Sequence, residues 1–381
     1  MTTSTQTTLG VGIIGCGSIS ATYLRLAPLF GGIAIKAIAD INMEAALTRA
    51  EEFGTKAVSV EDLLTADDID IIVNLTIPSA HAAVTRSILE AGKHAYSEKP
   101  VVLSLEEGLE LQELATSKGL RIGSAPDTFL GGSHQMARAL LDNGELGTVA
   151  AGTCHFMSHG MEHWHPNPDF FFQPGGGPML DLGPYYVTNL IQLLGPVKRV
   201  AALATAPQSE RVISLEPRAG ERVPVKTPTT IHALLDFEQG ATVTVTTSWD
   251  VWAHRHSHME LYGSRGSLFV PDPNMFGGVL EKADTDGAVS AVAMWDHPFS
   301  LANDRLDNDP RANYRTAGLA DMARAIRDDR PHRCSLDLAL HAVDVMVSVL
   351  RSGKTGEFVD ITTRCERPAP LGPEDARSLL A

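Results

Sequence analysis

A glycine-rich stretch near the start of the chain, Gly15-Cys16-Gly17-Ser18-Ile19-Ser20, directly follows an apolar run and opens a helical pattern. Backbone N–H groups at Gly15, Gly17, Ser18 and Ile19, reinforced by the helix dipole, suit a dinucleotide pyrophosphate. Gly15 permits a tight turn and Gly17 a close phosphate approach, while Ser20 stands where a third Gly or Ala is usual. Asp40 closes the next apolar run, 25 residues after Gly15. That is near the spacing at which a carboxylate accepts from adenosine ribose hydroxyls. A 2'-phosphate would be repelled by Asp40, and Ile41-Asn42-Met43-Glu44 supplies no compensating cation, so NAD is expected rather than NADP. The plainer alternatives are a turn that binds nothing and an aspartate that only caps a helix.

Ser97-Glu98-Lys99-Pro100 follows another strand-like run. A lysine at the carboxyl end of a strand in such a sheet points into the crevice that holds the cofactor. Desolvation beside a nicotinamide cation would draw it from about 10.4 toward a working value near 7 to 8. By itself, Glu-Lys-Pro reads equally well as a surface turn. Asp181 and Tyr185 lie four apart at the start of a helical pattern, so both can face one cleft; the alternative is a helix cap followed by a packed tyrosine. Alcohol oxidation needs a hydroxyl placed over the nicotinamide C4, a group that takes its proton, and hydrogen bonds that orient the substrate. Lys99, Asp181 and Tyr185 can supply these.

The segment His155 to Asp169 is dense in histidine and aromatic residues. Its histidine spacings would place metal ligands on a helix. However, it begins as a strand and ends in Pro166-Asn167-Pro168, so no metal is expected. A substrate loop fits better, with Trp164 packing on a sugar face and His163 or His165 bonding hydroxyls or moving a proton. Asp127 and Phe129 lie where domains should meet and are candidates to line the same pocket, or else to pack the domains together. In Trp252 to His258, the histidines 254, 256 and 258 would share one face of a strand, at an interface or in solvent; alternatively they would receive an anionic sugar.

These residues need elements to hold them. Apolar β-branched runs at 11–15, 33–40, 69–75, 94–97 and 120–124 alternate with helical patterns at 21–30, 43–53, 80–91 and 105–117, which predicts a parallel sheet covered on both faces. From 148 onward, strand runs at 148–157, 197–204, 229–237, 241–248, 258–262 and 267–270 follow with little helix between them. An antiparallel sheet is expected there, with helices at 131–143, 182–194, 311–328 and 336–351. The reading is an α/β Rossmann domain over 1–127 and an α/β domain over 128–381 with a large, mainly antiparallel open sheet. Its C-terminal helices would pack back on the first domain, and the tail after Thr363 would be a surface extension.

Composition bounds the rest. The 381 residues are 44% hydrophobic and 20% charged, as in ordinary globular proteins. A net charge of -15 argues against a nucleic-acid partner. No run approaches the roughly 18 apolar residues of a membrane span. The N-terminus lacks a secretory pattern and is expected to fray, and Cys16, Cys154, Cys334 and Cys365 form no Cys-x-x-Cys pair. A cytoplasmic protein is expected.

The Gly-x-Gly fingerprint, Glu98-Lys99-Pro100, the stretch Gly175 to Tyr185 and the two-part organisation together resemble the Gfo/Idh/MocA oxidoreductases over nearly the full length. That resemblance implies NAD(P)-dependent oxidation or reduction of sugars and cyclitols, and an open sheet that mediates a homodimer or homotetramer. It places Thr76, Ile77, Pro78 and His81 along the cofactor and Glu98 near the nicotinamide ribose. Lys99 and Asp181 match the family's catalytic Lys and Asp. Many members carry His where this chain has Tyr185, although some sugar and dihydrodiol dehydrogenases of the family use Tyr, and Tyr186 or a histidine remains an alternative acid/base.

The expected activity is NAD-dependent oxidation of a secondary hydroxyl of a pyranose, glycoside or cyclitol. A close alternative is a redox-neutral glycosidase that oxidises C3, eliminates the aglycone, adds water and returns the hydride, acting on an anionic sugar such as a sulfosugar or uronide. It would need a further base and acid, for which His155, His165 and Tyr186 are candidates. A non-catalytic NAD-binding regulator is the third possibility, against which the presence of both Lys99 and Asp181 argues.

Overall fold

The computed structural model describes residues 8–306 and 309–381; the fraying expected of the extreme N-terminus lies outside them. Residues 8–125 hold a five-stranded parallel sheet of β1 (Leu9–Ile14), β2 (Ile33–Ala39), β3 (Ile71–Asn74), β4 (His94–Ser97) and β5 (Ile122–Ser124). Helices on both faces shield it, so its strands read as continuous apolar runs: Val11, Ile13, Ile38, Ile72 and Val73 have no exposed surface. The order is β2-β1-β3-β4-β5. The direction of winding reverses between β1 and β3, and the crevice that opens at their carboxyl ends lies beside the glycine-rich loop.

The second sheet has nine strands, in the order Val289–Ala291, Glu281–Ala283, Gly266–Val270, Met259–Gly263, Val149–Met157, Thr242–Ser248, Thr230–Phe237, Val197–Thr205 and Val359–Asp360. It is mixed rather than wholly antiparallel, because Thr242–Ser248 runs parallel to Val149–Met157 while its other neighbours alternate in direction. Helices Gly183–Leu194 and Leu336–Thr355 cover one face. On the other face Leu203 and Leu234 remain 72% and 45% exposed.

Three expectations need correction. The helix expected from residue 311 begins at Ala317, because residues 309–311 pair as a short strand and Thr316 turns the chain with a φ of 108°. His254 and His256 lie outside any strand, and His258 immediately precedes one. The tail is not a surface extension. Leu371, Ala376 and Leu379 are buried, the Arg333 guanidinium donates to the carbonyls of Ala369 and Pro370, and Ala381 N–H donates to Leu29 O at 2.9 Å. Apolar residues every few positions carry this Pro-rich segment back onto the first domain.

Candidate active site

Gly15 has a φ of 104°, and a Cβ there would lie 2.6 Å from the Leu75 backbone, so only glycine lets the loop pass β3 so closely. Gly17 has no atom within 4 Å of where its Cβ would stand, which leaves the space a phosphate needs. The helix it precedes, Ser18–Leu26, has no side-chain cap, so its first N–H groups face the crevice. Ser20 folds its hydroxyl back to donate to Gly17 O at 2.6 Å. Asp40 accepts from Cys16 N–H at 2.7 Å and Asn42 N–H at 2.8 Å. A carboxylate has about four lone-pair sites, so acceptor capacity remains for ribose hydroxyls. Arg49, which no local pattern singled out, bonds Gly17 O at 3.3 Å and is itself paired with Glu52. These groups fit a bound NAD.

Thr76 donates its hydroxyl to Asn74 at 2.7 Å and starts a turn that leaves Ile77 exposed and Pro78 at the cleft. His81 takes a different part from the cofactor contact expected of it. It is buried, with Nδ1 2.6 Å from Pro100 O and Nε2 2.9 Å from Thr76 O, so it braces two cleft segments. Glu98 accepts from the Tyr23 hydroxyl at 2.9 Å and from Lys99 N–H at 3.1 Å.

Lys99 Nζ donates to Asp181 Oδ1 at 3.0 Å and to Asp181 O at 2.6 Å. An ammonium has three N–H donors, so one is left for a substrate oxygen. Burial pulls the Lys99 ammonium down, but the charges of Asp181, Tyr185 and Glu98 outweigh it, and the group is held above its ordinary value. The expected drop to 7 or 8 is therefore not produced by the surrounding protein. A lysine so held is a proton carrier and an electrostatic partner for a developing alkoxide. The Tyr185 ring lies 5.2 Å from Lys99 Nζ and 6.0 Å from the Arg315 guanidinium. Arg315, absent from the sequence reading, is anchored on Asn274 and Asn313. Nothing in its local sequence marks it; only the turn before the Ala317 helix brings it here.

The aromatic loop reaches the same place. A cavity of about 50 Å³ at Lys99 and Asp181 is walled by Pro78, Phe170 and Phe171. His165 packs edge-on against both phenylalanines, and Trp164, 61% exposed, packs on His165 and Phe171. Gly176 makes the fold-back possible, since a Cβ there would strike Phe171 O. His163 sits apart, facing Ser214 and Glu162 and stacked on His159.

Four proposed substrate residues are otherwise engaged. Tyr186 is buried against Phe156, and its hydroxyl donates to Asp272 at 2.9 Å beside His258. Successive helical residues diverge by about 100°, so Tyr185 and Tyr186 cannot share the cleft. His155 alternates with Cys154 and Phe156 and thus faces the outer side of the sheet, where it stacks on His256 at 4.2 Å. This removes the His254–His256 pair from the cleft as well. Phe129 is core. Asp127 accepts from the N–H groups of Thr316 and Gly318 at 2.9 and 3.0 Å, capping the Ala317–Arg327 helix.

Burial pushes the Asp127 carboxyl up to about 6, against the N–H of Gly318, the Arg315 charge and the N–H of Thr316. In the unfolded chain its value is about 3.9. The folded state therefore binds this proton more tightly, and its stabilising contribution is complete below about pH 4 and lost as pH rises through about 6. Asp127→Asn keeps an oxygen acceptor and removes the ionisation. In denaturant titrations from pH 4 to 7, the wild type should lose about 2–3 kcal/mol relative to this variant. Parallel pH curves would contradict the assignment.

Residues 9–125 match the oxidoreductase family with an NAD-binding Rossmann fold, and residues 134–269 match the GFO/IDH/MocA C-terminal domain. This chain belongs to the Gfo/Idh/MocA family. It is 28% identical over 180 residues to an uncharacterised oxidoreductase of Schizosaccharomyces pombe, a match covering 44% of this chain and 48% of that one. The chain thus spans about half the length of that relative. It is 28% identical over 267 residues to dTDP-3,4-didehydro-2,6-dideoxy-alpha-D-glucose 3-reductase of Saccharopolyspora spinosa, covering 68% of this chain and 74% of that one. A levoglucosan dehydrogenase in complex with NADH and levoglucosan superposes with a TM-score of 0.78 at 20% identity, covering 93% of this chain and 100% of that one. This Gfo/Idh/MocA protein thus has an NAD-binding Rossmann domain, and none of its described helices is long and apolar enough to cross a membrane.

Proposed function

We propose that this chain oxidises a secondary hydroxyl of a pyranose, glycoside or cyclitol with NAD. The observation that carries the reading is Lys99, fixed by Asp181 at the end of β4 with one ammonium hydrogen to spare and Tyr185 beside it. Bound NAD supplies the hydride acceptor. Asp181 positions Lys99, whose free N–H orients the substrate oxygen and stabilises the charge that develops there. Tyr185, flanked by Lys99 and Arg315, is the adjoining proton-transfer group. The similarity to a dTDP-sugar reductase and to the fold of levoglucosan dehydrogenase supports a carbohydrate substrate. NADH formation should be measured across free sugars, aryl glycosides and inositols; no reduction of NAD by any of them would sink the reading.

A redox-neutral glycosidase is favoured by one observation: His165 packs against the wall of the Lys99 cavity, near where a leaving group would need an acid. With NAD far below substrate, many aglycones released per NAD would establish it. NADH rising with the glycosidic bond intact would exclude it.

The outer sheet face fits self-association. Leu203 faces His232 in register, with Leu234 nearby, leaving an apolar centre edged by the Arg199–Asp236 pair. Leu203→Arg should shift the mass measured by light scattering to that of one chain; a wild-type protein already monomeric would refute this use of the face.

A further inference from the structure

We propose that His159, Glu162 and His163 form a binding site for a borderline divalent cation of the zinc class. Independently of the Lys99 chemistry, the fold brings one ligand atom from each to within 4.8 Å of the others. Two imidazoles and one carboxylate are a zinc-type donor set, with a fourth position left for water or a substrate oxygen. Bonds of about 2.0–2.1 Å in a tetrahedron place ligand atoms about 3.3 Å apart, so modest side-chain rotation closes the site.

Glu162 is 3% exposed, yet its Oε2 has no hydrogen-bond partner, and neither does the buried Nδ1 of His159. An orphaned carboxylate oxygen in the interior is costly unless a cation meets it. Space is reserved beside it: Gly160 has a φ of 94°, and a Cβ there would lie 2.3 Å from Oε2. The other oxygen, Oε1, accepts from Arg211 at 3.1 Å, and Arg211 also pairs with Asp250. Counting Glu162, Asp250 and Arg211, the site keeps one net negative charge before the ion arrives.

The ring of His163 is held by its neighbours: Nδ1 lies 3.2 Å from the Ser214 hydroxyl and Nε2 lies 3.8 Å from Glu162 Oε1. Imidazole ligands of metals commonly hydrogen-bond through their second nitrogen in this way. The flanking Trp252, stacked on His159, closes one side, while half-exposed His163 leaves the other open to exchange.

The segment turns after Met157 and gathers His159 and His163 around Glu162 without a helix.

The experiment is equilibrium dialysis of the chelator-stripped, tag-free full chain against zinc, with metal analysis and thermal unfolding of each variant in the metal-free state. One equivalent of zinc is expected for the wild type. His163→Ala removes a half-exposed ligand without opening the core and should weaken binding by about tenfold or more, with Ser214→Ala weakening it by about 10- to 100-fold through the lost orienting bond. His159→Ala should do the same, and if it fails to fold His163→Ala decides alone. His256→Ala, in the other histidine cluster, should bind as the wild type does. Zinc held equally by wild type and His163→Ala, or not held by the wild type, would overturn the proposal.

Discussion

Lys99→Met should lower turnover on the best hydroxyl substrate by about 10³-fold, within the 10²–10⁴ range of a positioned proton-transfer group. Its NAD affinity should stay within about threefold of wild type, because the cofactor's phosphates and ribose are expected at Gly17, the first helix and Asp40 instead. Methionine keeps an unbranched apolar stem beside Tyr185 while deleting the donor that Asp181 orients. The loss should fall on kcat more than KM, since the ammonium's third hydrogen acts most strongly on charge that grows in the transition state. Tyr185→Phe should show a smaller loss in kcat. Tyr186→Phe should leave kcat alone and cost about 1 kcal/mol of stability, because it strips a donor from partly buried Asp272. Stopped-flow NADH formation with calorimetric NAD titration separates these outcomes; turnover unchanged in Lys99→Met would remove the residue from the mechanism.

The second large effect contrasts two glycines two residues apart. Gly17→Ala should leave the melting temperature within about 2 °C of wild type but weaken NAD binding by about tenfold or more, the energy of about 1.4 kcal/mol that a displaced phosphate contact represents. Its φ of −71° suits alanine, and nothing within 4 Å opposes the methyl, so only a ligand that uses the open space can feel it. Gly15→Ala should instead lose stability by about 2–4 kcal/mol, from a φ of 104° and from the 2.6 Å approach to Leu75. Apo-state thermal unfolding and NAD titration on both variants test the pair. Equal NAD affinity in Gly17→Ala would place the pyrophosphate elsewhere.

Much of this architecture was legible because burial on both faces of a parallel sheet leaves near-continuous apolar runs, and turns leave glycine. β4 was bounded to the residue, and β1 to β3 to within two residues. The parallel pairing within the second sheet was not legible, because strand direction depends on which distant segments meet and an isolated strand looks the same either way. Asp181 and Lys99 were found from local motifs, yet the bond between them spans 82 residues.

The sequence by itself determined the parallel sheet and the glycine loop, since each rests on spacing within one element or one turn, and it offered Asp40, Lys99, Asp181 and Tyr185 as candidates for the site. Only the tertiary structure decided which way His155, Tyr186 and Asp127 point. It alone brought Arg315 beside Tyr185, folded the tail onto the first domain and set Glu162 between two histidines. Those outcomes depend on contacts between residues far apart in the chain, and local periodicity carries no information about them.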